Sequence, residues 1–508
     1  MRLFRRSIFF FLVVLSLVYF TIGILFYIYY RQPSIPLLNY TTAIMKRVEP
    51  ILVRYGVQNL YVPSFDIKTE HKSTFLLEFS KADLEYKDSI IQIAKEGKIS
   101  LLEDRFKKWR NFKIIYGNND VKAKFKLHGS SLTPYLNDHE SFTIKSKLPI
   151  NGRKNFKLIT GREMDFNIIF NNHIAKSFNL FAEDTGDIIV TNSLGHYRDF
   201  FQYEIFDEEY LFNEYDLKEA IIIRRLTFDN GKRNWHSSML DDTYYNIDLD
   251  FIQREKLGVW NEFLLDPTSQ NYDFHYMGRF FALLQLYNSP HQILGNNDKW
   301  VLSNNNLLYP VFREEGELVP LSDISEIERN LFFQNYYYSE SFDVYKKILL
   351  NDEVLNHRNR VFKEIVDSKK AIIHSYDSIY SKYSSIHKLF GSNFLRTKLV
   401  KNKIHSTIEK NIQLISDYLN SGYTVISHSN DELILRSSRK NTLKVSVDGV
   451  IVYFSPIHLR LKDSGEVVEE LNELLIEGIE NLNDLIIEDV VLEQKLLYEK
   501  DYSIIRTF

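Results

Sequence analysis

The chain of 508 residues contains no cysteine. Disulfides, thiolate metal sites and cysteine nucleophiles are thereby excluded together. It also has little excess of charge of either sign, because 63 basic residues stand against 67 acidic ones for a formal net charge of -4. The footprint of a nucleic-acid binder is therefore missing, although such a balance leaves room for a local polyanion site. Common catalytic signatures are lacking as well: the sequence has no His-Glu-x-x-His, no Gly-x-Ser-x-Gly, no Walker A and no Gly-x-Gly-x-x-Gly. Metalloproteases of that type, serine hydrolases with a nucleophile elbow, P-loop NTPases and dinucleotide-binding enzymes lose support.

What is present begins with an apolar run. Residues 7–30 carry no charge, and about 20 apolar residues suffice to cross a bilayer core of roughly 30 Å. Arg2, Arg5 and Arg6 precede the run and only Arg31 follows closely, which predicts a short cytoplasmic N-terminus, residues 1–6, and an extracytoplasmic body. The run is too long for a signal-peptide core and ends in interfacial aromatics, Phe26 to Tyr30, so it is expected to stay as a single-pass anchor in the cell (inner) membrane. An exported chain without disulfides fits a bacterial envelope better than a eukaryotic secretory route.

The body is too long for one ordinary domain. Residues 31–58 read as a juxtamembrane spacer and helix, 59–340 as the main body, 341–420 as a helical extension and 421–508 as a small β-rich domain. Val121 to Leu127 alternates apolar and basic residues, which predicts a half-buried strand with Val121, Ala123, Phe125 and Leu127 inward. A hairpin is expected around residues 194–196, a buried helix over 274–287, and strands near Trp300 and at 318–321. Val354, Val361, Phe362 and Ile365 fall on one helical face, and Ile404, Ile408, Ile412 and Ile415 on another. Past Gly422 the period changes to two. Short strands alternating with helices give an α+β class.

The order of several segments resembles the spore-coat protein H (CotH) kinase-like family across roughly residues 121–327. The strand ending in Lys126-Leu-His-Gly129-Ser is similar to that family's strand and glycine turn, and Ser141 to Lys145 to its following basic strand. Tyr203-Glu204 resembles the end of its hairpin. His291, Asn296, Asn297 and Pro320-Leu-Ser-Asp323 resemble its later catalytic segments. The resemblance implies an atypical protein-kinase-like, two-lobed body using ATP and Mg²⁺ if active, and no cofactor otherwise.

On that template Gly129, Ser130 and Ser131 form the phosphate-facing turn, Lys145 holds the phosphates and Glu204 pairs with it. Asn296 or Asn297 and Asp323 hold the metal, and His291 acts as base or orienter. Asp323 is expected to be buried behind an apolar segment. Two positions depart from the family pattern: His291 stands where an aspartate is expected five residues before Asn296, and Ser325 stands where a second acidic residue often follows Asp323. A membrane-anchored phosphotransferase acting on a surface protein or polymer is thus one expectation. A non-catalytic interaction module in envelope polysaccharide assembly, with envelope proteins or polysaccharides as partners and no nucleic acid, is the other. Asp248 and Asp250 form an Asp-x-Asp in an acidic run, a pattern short enough to recur by chance.

Overall fold

The computed structural model describes residues 74–96, 108–128, 141–160, 166–184, 186–193, 196–225, 228–229, 232–233, 243–244, 251–268, 271–288, 299–312, 318–325, 327, 340–390, 394–429, 432–461, 467–479 and 482–496. Among them nine helices accompany largely antiparallel sheets, so the class is α+β. No helix among the described residues is long and apolar enough to cross a membrane, and the run at 7–30 lies outside them. Ser73–Ile379 with Thr407–Phe508 form one compact unit, and Met1–Lys72 with Tyr380–Ser406 another. In the latter, the described residues are helical, and the Lys401 ammonium lies 4.8 Å from the centre of the Tyr380 ring.

The larger unit opens with a closed barrel. Its strands are β1 (Thr74–Glu78), β2 (Arg110–Tyr116), β3 (Asn119–Leu127), β4 (Phe142–Ile150), β5 (Arg153–Thr160), β6 (Asp187–Ser193) and β7 (His196–Glu204), in the order β1-β2-β3-β4-β5-β7-β6. Every neighbouring pair is antiparallel except β1 and β6, which close the ring in parallel with Phe75 opposite Thr191. The expected alternation holds in β3: Val121, Ala123, Phe125 and Leu127 are buried while the lysines between them point outward. The hairpin of β6 and β7 also forms, with Ser193 opposite His196.

The barrel interior is filled by aromatic and branched side chains, among them Phe75, Phe112, Ile114, Phe125, Phe142, Ile144, Phe156 and Phe200. Phe125 meets Phe79, Phe112 and Phe142 edge to face at 4.9–5.9 Å between centroids, a geometry aromatic quadrupoles favour. Helix α1 (Lys81–Glu96) adds Ile90 and Ile91 to this core. Its start is fixed by Ser80, whose hydroxyl accepts from the Asp83 N–H, and Asp83 in turn takes the Arg110 Nε at 2.9 Å.

After the barrel's fifth strand comes α2 (Phe166–Ser177), and after its seventh comes α3 (Glu208–Tyr215), capped by Asp207. β8 (Ile221–Arg225), the short pair β9 (Phe228–Asp229) and β10 (Lys232–Arg233), and β11 (Thr243–Tyr244) follow. Next are α4 (Phe251–Leu265), α5 (Phe274–Tyr287), β12 (Lys299–Leu302) and β13 (Leu308–Pro310). A second sheet runs β11-β8-β12-β13. As expected, α5 is buried, from Tyr276 to Tyr287, with Asp273 as its N-cap and Asn288 ending it in the left-handed region. The strand expected at 318–321 is not one: the segment has no ladder, and one side chain, Asn411 of the helix over Phe394–Asn420, satisfies part of its backbone.

The remaining helices are α6 (Glu340–Leu349), α7 (Asp352–Asp367), α8 (Lys369–Phe390) and α9 (Phe394–Asn420). α5 and α7 cross at Gly278, where an added Cβ would stand 2.6 Å from the His357 Cβ. Only glycine lets the two backbones come this close. The apolar faces read from the sequence are the buried ones, Val354, Val361, Phe362 and Ile365 on α7 and Ile404, Ile408, Ile412 and Ile415 on α9.

Beyond α9 the regular structure among the described residues is strand: β14 (Thr424–Ser429), β15 (Glu432–Ser437), β16 (Leu443–Val447), β17 (Val450–Phe454), β18 (Ile457–Leu461), β19 (Val467–Leu471), β20 (Glu473–Glu477), β21 (Ile486–Asp489) and β22 (Gln494–Leu496). They form three small sheets, β14-β15-β20, β17-β16-β21-β22 and β18-β19. The acidic, apolar stretch after residue 466 thus contributes strands.

Candidate functional site

The candidate residues fall into two groups. Gly129, Ser130, Ser131, His291, Asn296 and Asn297, with Asp248 and Asp250, lie outside the described residues. Lys145, Glu204 and Asp323 lie within them, and the strands that carry the first two decide where their side chains go.

In β4, Ile144 is opposite Phe156 and faces the barrel core, so Lys145, opposite Asn155 and Lys124, faces outward. Its ammonium lies 5.3 Å from the centre of the Trp109 ring. Lys126 approaches the same ring at 5.2 Å, so two cations lie within cation–π range of the indole. One strand away, His128 Nδ1 and the Thr143 hydroxyl are 3.0 Å apart, and the His128 N–H donates to the Ser141 carbonyl at 2.8 Å. These bonds pin the end of β3 just before Gly129.

Glu204 ends β7 opposite Phe156, and directly opposed residues share a face of a sheet. It is therefore on the inward side, and Lys145 on the outward side. The expected lysine–glutamate pair is not brought together. Glu204 instead has carboxylates for neighbours. Burial raises its pKa, the Asp184 charge adds to this, and Arg153 works against it, with Asp207 and Glu209 further raising it.

Asp184 behaves in the opposite way. Burial alone would raise its carboxyl, but the Arg153 Nε at 2.7 Å and the Glu204 N–H at 3.0 Å hold it below the usual carboxylate range. The segment before Asp184 is clamped: the Tyr215 hydroxyl bonds both the N–H and the carbonyl of Ala182, and Phe181 N–H donates to the Tyr276 hydroxyl at 2.9 Å. Burial pushes the Tyr215 phenol up to about 12, so it remains a neutral hydrogen-bonding group.

The same clamp presents a pair the sequence did not reveal. Glu183 receives the Lys299 ammonium at 2.6 Å, with both side chains nearly inaccessible, and Lys299 also lies 5.7 Å from the centre of the Phe206 ring. The two residues are 116 positions apart, and neither belongs to a local motif.

Asp323 is exposed, not buried as expected. One of its carboxylate oxygens accepts the Ser325 N–H at 2.8 Å and the Ser325 hydroxyl, the local turn that aspartate commonly makes with the residue two positions on. The chain reaches it through a buried anchor. Asn411 on α9 accepts the Leu321 N–H at 2.8 Å and donates to the carbonyls of Leu286 and Val319 at 2.8 and 2.9 Å. Gln285 donates to the Ile327 carbonyl, and Val319 N–H to that of Tyr287. The end of α5, which leads toward His291, is thus tied to the segment that carries Asp323.

The kinase template asks for an ion pair between the phosphate lysine and its glutamate, and Lys145 and Glu204 lie on opposite faces. Among the described residues no group of three histidine, aspartate or glutamate side chains is arranged to hold a metal ion. What the geometry does offer is a cationic outer wall, a half-buried carboxylate cluster in which Arg153 holds Asp184, and a hydrogen-bonded anchor before Asp323.

Compared with known proteins, the chain matches no family model and no curated protein. Residue geometry therefore carries the functional reading.

Proposed function

We propose that this chain is a CotH-like, two-lobed, kinase-like body anchored in the cell membrane by residues 7–30, with a cytoplasmic N-terminus and an extracytoplasmic body. It serves as a non-catalytic interaction module in the assembly of envelope polysaccharide. The observation that most supports this over phosphoryl transfer is the register of β4, β5 and β7, which puts Lys145 and Glu204 on opposite faces. Transfer of a phosphoryl group depends on positioned charge at the phosphates and metal, and a lysine turned to solvent beside Trp109 supplies neither. His291 and Ser325, standing where acidic residues are expected, point the same way, as does a topology that separates the body from cytoplasmic ATP.

The test uses the full-length protein in neutral detergent. It is titrated calorimetrically with ATP and Mg²⁺ and incubated with γ-labelled ATP and envelope fractions. The module reading expects no binding heat and no transferred label. Transfer that requires Mg²⁺ and disappears in Asp323→Asn would replace it with the phosphotransferase reading.

A further inference from the structure

The outer wall of the barrel carries a pattern that stability alone disfavours. Lys122, Lys124 and Lys126 alternate along β3, all outward, and the register sets Lys124 directly opposite Lys145 on β4. The next row runs Lys126, Thr143, Lys157 across three strands, with Thr143 buried and the two lysines half-buried. Directly opposed like charges repel, yet among the described residues no carboxylate pairs with Lys122, Lys124 or Lys145.

The far end of the same wall is built differently. There Lys113, opposite Lys122, is joined by Glu78 and by Asp120 at 3.1 Å. A wall shaped only for solubility would mix signs throughout, as that end does. Among the described residues, Lys122, Lys124 and Lys145 depart from that pattern.

Trp109 makes the wall ordered as well as charged. The Lys126 and Lys145 ammoniums lie 5.2 and 5.3 Å from the centre of its ring, and Lys157 lies 5.0 Å from the centre of the Tyr203 ring. The Trp109 ring thus helps to order the exposed Lys145, which reduces the ordering cost of binding. Alternate lysines on a strand are about 7 Å apart and neighbouring strands about 5 Å, so the exposed Lys122, Lys124 and Lys145 form a small cluster that successive anions of one chain can follow.

We propose that this wall binds a linear, phosphate-bearing polymer. The proposal deepens the module reading by naming its partner class. A flat anionic membrane is the weaker match, because the wall belongs to a closed and therefore convex barrel, and Trp109 has its ring engaged by ammonium groups instead of being presented to lipid.

The probe is inorganic polyphosphate, added to the full-length protein in neutral detergent at about physiological ionic strength, where exposed charges are screened beyond roughly 8 Å. The wild type should bind, and affinity should fall steeply as salt is raised. Lys124→Glu with Lys145→Glu should lose at least tenfold in affinity, while Lys124→Arg with Lys145→Arg should keep it. Lys124→Glu alone places opposite charges across the strands, so its Tm should rise slightly while binding falls, a divergence that a purely structural lysine would not give.

Equal binding by the wild type and the double Glu variant would overturn the proposal. So would no binding to polyphosphate, or binding to phosphatidylglycerol vesicles alone. The ATP experiment is independent of all these outcomes: label transfer there would remove the module reading while leaving a lysine-dependent polyphosphate isotherm intact.

Discussion

The barrel and the C-terminal strands are both β structures in one compact unit, but they are held by different forces. The barrel closes on itself, has no open edge, and is filled by phenylalanine, leucine, isoleucine and valine. The C-terminal strands form three small sheets with their own apolar cluster. Their connection to the helices is polar and buried. Asn359 on α7 donates to the Lys440 carbonyl at 2.6 Å and to Asn441 at 3.2 Å, and Asn441 donates to the Leu419 carbonyl and to Asp489. Asp489, fully buried, also accepts the N–H groups of Val491 and Leu492 and faces Arg439. Arg358 donates to the Tyr418 hydroxyl at 2.7 Å. Apolar contact is non-directional and tolerates adjustment, whereas a buried hydrogen-bond network has one satisfied arrangement. Closure fixes the barrel; direction fixes the small sheets.

The comparison predicts a difference in brittleness. Asp489→Ala removes the acceptor for Asn441 and two backbone N–H groups and leaves Arg439 buried without its counter-charge, so it should cost about 3–5 kcal/mol, as broken buried pairs do. Phe125→Leu in the barrel keeps the chemistry and most of the volume, and should cost about 1 kcal/mol. Denaturant midpoints of the full-length protein measure both. If Phe125→Leu proves as damaging as Asp489→Ala, the distinction between a forgiving barrel and a brittle polar base fails.

Local pattern explains which parts of this architecture are legible in the sequence. The period-two alternation of Val121 to Leu127 and the apolar faces of α7 and α9 need only neighbouring residues, and they hold. Barrel closure needs Thr74 to find Val190, a pairing no local pattern encodes. The same limit applies to the site. Lys145 and Glu204 each lie in a recognisable strand, but whether they meet depends on the parity of two registers. Asn411 looks like any polar residue of a helix, although it holds Leu286, Val319 and Leu321 together. Residues 318–321 read as a strand because they are apolar, and they depart from one because the Asn411 side chain and the Tyr287 carbonyl stand in for a ladder. The burial expected for Asp323 fails for a similar reason: Leu321 is anchored inward by Asn411, and two residues later the chain has reached the surface, where Ser325 satisfies the carboxylate.

The smallest expected effect, and the sharpest separation of the two regions, comes from pH. His357 precedes Arg358 on α7, lies against His275 with ring centroids 3.6 Å apart and the rings tilted, and stands at the Gly278 crossing. Burial first, then the charge of His275, with Arg360 and Arg279 adding and Asp273 opposing, lowers its pKa to about 4. The folded state therefore binds this proton later than the unfolded chain, whose histidines titrate near 6.5. Stability from the neutral imidazole is complete above that value and is lost as pH falls toward about 4. In the barrel, Asp184 is also held low, but its loss begins only below the ordinary carboxylate range. Between pH 6.5 and 4, amide hydrogen exchange should thus speed up in α7 and in β14 to β22 before it does in β2 to β5, and His357→Gln should flatten that early response. Simultaneous loosening of both regions would mean that the crossing at Gly278 transmits strain into the barrel, contrary to the independence that ring closure confers.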